Sequence, residues 1–164
     1  MAARANSDDE RALATYGIAL AEAATAALPG WVVRSVERVL LAWQDGRPVD
    51  PHVLADAAAA GRAAAVDIGA ELRALLADDI DDQRVNPLTL LRRAVRYPTD
   101  VLRAAGVPPV VRDEQAARLF PDDDYGLAPA TFADVDPSLH EPGIAWGAAK
   151  AHVHLARRRA EGLR

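Results

Sequence analysis

The run of small and aliphatic residues that follows Asp50-Pro51 constrains this chain more than any other feature. Leu54, Ala58, Gly61, Ala65, Ile68, Leu72 and Leu75 recur at steps of four and three, the rhythm of one helix face and not the alternation of a strand. Large residues hold the ends of this seam and small ones its middle, so a neighbouring backbone is expected to come close around Gly61. Asp50 supplies an N-cap and Pro51 the first helical position, where its missing N–H and fixed φ cost nothing. The helix is predicted to reach about Ala77.

Two long helices are predicted ahead of it. Ser7 and Glu10 have the spacing of a capping box, and Leu13, Gly17, Leu20, Ala24 and Ala27 then repeat at helical steps as far as Leu28. Pro29-Gly30 is expected to stop that helix. A second follows from about Trp31 to Gln44, with Val33, Val36, Leu40 and Trp43 on one face, and ends at Asp45-Gly46. So short a connection predicts an antiparallel hairpin.

Beyond Ala77 the texture changes. Four aspartates within residues 78–82 read as a solvated connector. Asn86-Pro87 starts a short helix with Leu88, Leu91 and Val95 inward, which Pro98 interrupts; another begins near Thr99 and stops at Gly106. Pro108-Pro109 requires extended backbone, and residues 113–120 form one more short helix before Pro121. A last helix is expected from about Ile144 to Arg159, with Ile144, Ala148, Ala151 and Leu155 inward. It ends in Arg157-Arg158-Arg159, cations that suit a helix C-terminus.

The expected architecture is therefore all-α and a single domain over residues 1–164, an antiparallel helical bundle. Three long N-terminal helices (residues 1–85) and a C-terminal helix with a basic tail (residues 144–164) make the bundle. A Pro-rich segment of short helices and turns (residues 86–143) wraps over it. Composition agrees: 51% of residues are hydrophobic but only 5% aromatic, so alanine, valine and leucine supply the core, which favours an alanine-rich bundle over a β-sandwich.

Charge and cysteine usage narrow the chemistry. A formal net charge of -5 argues against nucleic acid as the ligand, because binding phosphates requires a basic face. The absence of cysteine removes disulfides, thiolate metal sites and cysteine nucleophiles together. Acidic residues stand where a signal peptide would be apolar, and no apolar run escapes charge for the length of a membrane span. The expectation is a cytoplasmic protein.

Residues 120–143 hold the densest chemistry. Asp122, Asp123, Asp124, Asp134, Asp136 and Glu141 offer oxygen ligands for a hard cation. A calcium loop of the EF-hand type starting at Asp122 would need glutamate at its twelfth position, which is Ala133. Asp136-Pro137 instead reads as a helix cap and Asp122 as turn chemistry, so backbone capping is the expected role. His140, His152 and His154 lack the spacing that places two ligands on one helix face, and no metal or other cofactor is expected. Asp67 and Glu71, one turn apart, read as a solvated face beside Arg62 and Arg73.

No glycine-rich phosphate loop, nucleophile elbow or other enzyme signature occurs. The remaining feature is residues 90–103, where Arg92, Arg93, Arg96, Tyr97 and Arg103 make a cationic and aromatic patch in an acidic protein. Arginine forks beside an aromatic suit a carboxylate, a phosphate or an acidic protein surface. The competing structural role is internal pairing with the acidic run at residues 78–82. The sequence thus points to a non-enzymatic protein that binds another macromolecule through this patch, with Tyr125 on a second surface and a homo-oligomer compatible with the small-residue seam. Two alternatives stand beside it: a small-molecule site or enzyme with a pocket between the bundle and residues 120–143, where Arg96, Tyr97, Asp124 and His140 would converge, and nucleic-acid binding through the same arginines.

Overall fold

The computed structural model describes residues 2–162. Seven α-helices follow one another along the chain: α1 (Ala2–Trp43), α2 (Pro51–Ala77), α3 (Pro87–Arg93), α4 (Arg96–Ala104), α5 (Glu114–Leu119), α6 (Phe132–Val135) and α7 (His140–Ala160), with a short 3-10 turn at Pro137–Leu139 before the last. No strand occurs among the described residues. Residues 163–164, the end of the expected basic tail, lie outside them.

The N-terminal region has two long helices where three were expected. Pro29 sits inside α1, which continues without a break to Trp43. A proline there removes the N–H that would bond the Thr25 carbonyl, at a cost of roughly 3 kcal/mol in a helix interior. Burial on both sides outweighs it: Leu20, Ala21, Ala24 and Leu28 before the proline and Trp31, Val32, Val36 and Leu40 after it are all buried. Each leucine or valine among them contributes about 1.5–3 kcal/mol when fully removed from water, so the two halves of α1 hold one line. Ser7 and Glu10 consequently lie within the helix rather than capping it.

Residues of α1 contain an 18-residue window of mean hydropathy 1.2, long and apolar enough by composition to cross a membrane, and 44% of that window is buried inside the protein. Charge still interrupts the window, because Arg11, Glu22 and Arg34 leave no charge-free stretch of that length, as the sequence reading expected.

α2 runs antiparallel to α1, as three close approaches show: Gly17 beside Leu76, Thr25 beside Gly69, and Pro29 beside Gly61. The expected close backbone at Gly61 is therefore supplied by α1. Asp50 caps α2 through its side chain, which accepts from the His52 N–H at 2.8 Å, and Asn86 does the same for α3 at Leu88. The break after α3 falls at Ala94-Val95 and not at Pro98. Pro98 occupies the first turn of α4, where its missing N–H has no helical partner to lose. α3 and α4 both pack on α2, and α4 reaches α1 as well.

α7 lies antiparallel to the first half of α1, with Trp146 near Gly17, His152 3.4 Å from Asp9 and Arg157 3.2 Å from Glu10. It begins at His140, four residues before the expected start, and it presents a different face. Gly143, Trp146 and Val153 are buried, whereas Ile144 is 58% and Leu155 53% exposed and Ala148 and Ala151 face solvent with them. Both stripes have helical spacing. The inward one carries Trp146 and a glycine that lets the Phe132 ring approach within 2.7 Å of where a Cβ would stand.

Candidate functional site

Three of the acidic residues of segment 120–143, Asp123, Asp134 and Asp136, bind backbone N–H groups. The Asp123 carboxylate, 3% exposed, accepts from the Leu127 and Ala128 N–H groups at 2.7 and 2.9 Å. Asp134 accepts from Ala130 and Thr131, and Asp136 from Ser138; these bonds hold both carboxyls below the usual carboxylate range. Among the described residues no three His, Asp or Glu side chains are grouped to hold a metal ion.

The arginines of the patch are engaged within the fold. Arg92 donates to the carbonyls of Pro129 and Ala130 at 2.9 and 3.1 Å and lies over the Phe120 ring, clasping the loop before α6. Arg93 pairs with Glu71 of α2 at 2.9 Å. Arg96 donates to the Tyr97 hydroxyl at 2.9 Å, and that hydroxyl donates to Asp67 of α2. Burial, and then the bond to Asp67, raises the Tyr97 pKa. Arg103 donates to Asp124 at 2.6 Å. The arginines' partners are thus Glu71, Asp100, Asp124, the Tyr97 hydroxyl and two carbonyls, and not the run at residues 78–82 that the sequence suggested.

Tyr125 and His140 make no hydrogen bond or ion pair with the patch among the described residues. Tyr125 is buried at 6% exposure, and its hydroxyl donates to the Val107 carbonyl at 2.8 Å, so it serves the core rather than a surface. His140 is exposed at the start of α7, and among the described residues no hydrogen bond or ion pair joins it to Arg96, Tyr97 or Asp124. A groove of about 680 Å³ does separate α1 from residues 107–110 and 125–127, bounded by Trp43 and Tyr125. Arg96, Tyr97, Asp124 and His140 do not line it.

A different cleft has the features of a ligand site. About 480 Å³ in volume, it opens where the first half of α1, the end of α2 and residues 78–83 meet, with Arg157 of α7 at its rim. Leu13, Gly17, Ala21, Leu76 and Ile80 form an apolar floor. Around it stand four carboxylates, Glu10, Glu22, Asp78 and Asp79, against two guanidiniums, Arg73 and Arg157.

Carboxylates engage both terminal nitrogens of Arg157. It donates to both Asp79 oxygens at 2.6 and 2.9 Å, to Asp81 at 2.6 Å and to Glu10 at 3.2 Å. These bonds hold Asp79 well below the usual carboxylate range, with the Asp81 N–H helping, and push the Arg157 pKa up. The cleft also contains an unsatisfied group. Gln83 donates its amide N–H to the Asp78 carbonyl at 3.1 Å, which orients the amide, and its buried Oε1 has no partner among the described residues. Sequence reasoning assigned Arg157 to the helix C-terminus and 78–82 to solvent; the need of four adjacent aspartates for a cation was the available signal.

No protein-family model matches this chain, nor does any curated protein or any solved structure.

Proposed function

We propose that this protein is a non-enzymatic binding protein of the cytoplasm whose ligand is a small organic cation with an apolar body, a primary amine of aliphatic or aryl-alkyl type. Its seat is the cleft between α1, α2 and residues 78–83. In this reading α1, α2 and α7 act as an antiparallel bundle framing the cleft, with residues 86–143 laid over the opposite part of it.

The observation that carries the reading is the orphaned Gln83 Oε1 in a mostly apolar cleft whose charged residues are carboxylates more often than guanidiniums. A buried acceptor without a donor costs about 1–3 kcal/mol. An ammonium group supplies the donor and the charge that the surplus carboxylates ask for, while the floor takes the hydrocarbon. The volume is within the roughly 300–1,000 Å³ range of small-molecule sites. Binding of a macromolecule through Arg92, Arg96 and Tyr97 has less to rest on, since each of those side chains already has partners inside the fold.

Thermal unfolding of the full chain in hexylammonium, hexanoate and hexanol tests the proposal. Hexylammonium alone should raise the transition temperature, by an amount equivalent to about 2.7 kcal/mol at one hundred times its dissociation constant. Ala14→Phe, at an exposed position of the cleft wall, should abolish the shift, and Gln83→Leu should weaken it. Equal stabilisation by hexanoate, or a shift that survives Ala14→Phe, would overturn the reading.

A further inference from the structure

α7 carries an apolar stripe that nothing among the described residues covers. Ile144, Ala148, Ala151 and Leu155 are all exposed, and Glu141 and Arg158, also exposed, extend the same line at each end. The six residues are spaced three, four, three, four and three apart, an uninterrupted heptad seam.

The order of side chains along this seam reads the same in both directions by size: large, small, small, large. Its ends carry opposite charge. Laid antiparallel on a second copy of itself about a two-fold axis near its midpoint, the seam sets Ile144 against the partner's Leu155, Ala148 against the partner's Ala151, and Glu141 against the partner's Arg158. Every contact then occurs twice, as an isologous interface requires. A parallel arrangement would face Glu141 with its own copy and Arg158 with its own copy, two like-charge pairs that disfavour it. The paired alanines, flanked by Ala145 and Gly147, let the two backbones approach closely. Neither Glu141 nor Arg158 has an ionic partner among the described residues.

From this size palindrome and its charge complementarity we infer that the protein self-associates as a two-fold symmetric dimer through antiparallel α7 helices. The inference is independent of the cleft, whose walls share none of these six residues.

Sedimentation velocity over a concentration series tests it, with the full chain, its single reversals Glu141→Arg and Arg158→Glu, and the double reversal. The wild type should sediment at twice the 17.5 kDa chain mass. Each single reversal should weaken association at least tenfold, and the double reversal should restore it. Both reversals place the wrong charge at a helix end, which by itself loosens α7; the double variant keeps both faults, so its recovery isolates the pair between subunits. Ile144→Glu should give a folded monomer by circular dichroism. A wild type that stays monomeric to millimolar concentration overturns the inference, as does a dimer indifferent to Ile144→Glu or to the single reversals.

Discussion

Gly61 lies so close to Pro29 that a Cβ built on it would stand 2.8 Å from both the Pro29 Cα and the Pro29 carbonyl oxygen. The obstructing atoms are backbone, so no rotamer change relieves them. The closest crossing of the two longest helices therefore depends on a hydrogen atom in place of a side chain. Gly61→Ala should destabilise the protein by about 1–3 kcal/mol in urea unfolding, the range for overpacking, although alanine is the better helix former. Pro29→Ala should not rescue it, because the Cα and carbonyl remain.

One step along the same interface the outcome differs. A Cβ at Gly69 would meet the Thr25 side chain, with Oγ1 at 2.7 Å and Cγ2 at 2.9 Å. Thr25 is held there by its hydroxyl, which donates to the Ala21 carbonyl at 2.7 Å. Gly69→Ala alone should destabilise, and Thr25→Ala should recover part of the loss. A double-mutant cycle should return a favourable coupling of about 0.5–3 kcal/mol; simple additivity would contradict the geometry.

Arg92 and Arg96, one turn apart on paper, should behave differently. Arg92→Ala removes two charge-assisted bonds to the carbonyls of Pro129 and Ala130 and should cost about 1–2 kcal/mol of stability, discounted for partial exposure. Arg96→Ala loses an exposed contact with the Tyr97 hydroxyl and should stay within about 0.5 kcal/mol of wild type. Urea titrations of the two variants check the ranking, and a reversed order would undo the assignment of Arg92 as the clasp.

Acid should act on the cluster around Arg157. The carboxyl of Asp79 is held below its ordinary value, so its unfolded pKa of about 3.9 exceeds its folded one. Its contribution is then complete above that unfolded value and is lost as pH falls through the folded one. Thermal unfolding of wild type should weaken as pH drops below about 4. Asp79→Asn should be less stable at neutral pH, and the gap should narrow on acidification. A constant gap down to pH 2 would refute the role.

Helical content was legible because it is local. A low aromatic fraction, apolar spacing near 3.6 and the caps Asp50-Pro51, Asn86-Pro87 and Asp136-Pro137 depend only on neighbours a few residues away. Gly61 was legible for the same reason: a glycine among alanines on a helical seam announces close approach whatever approaches it. The capping role of Asp136 followed from turn chemistry that needs no distant partner, whereas Asp122, read the same way, makes no such bond among the described residues.

Three matters were settled only in space. At Pro29-Gly30 a local stop signal of a few kcal/mol met buried side chains on both flanks whose combined transfer free energy exceeds it, and burial depends on α2 being there. On α7 two apolar stripes compete, and which one turns inward is decided by the surface it docks on, with Trp146 and Gly143 fitting where Ile144 and Leu155 do not. Asp79 and Asp81 found their cation in Arg157, far along the chain, rather than in nearby Arg92 or Arg96. Backbone propensity is set by sequence neighbours, whereas burial and ion pairing are set by spatial ones, and the candidate cleft is built almost entirely from the second kind.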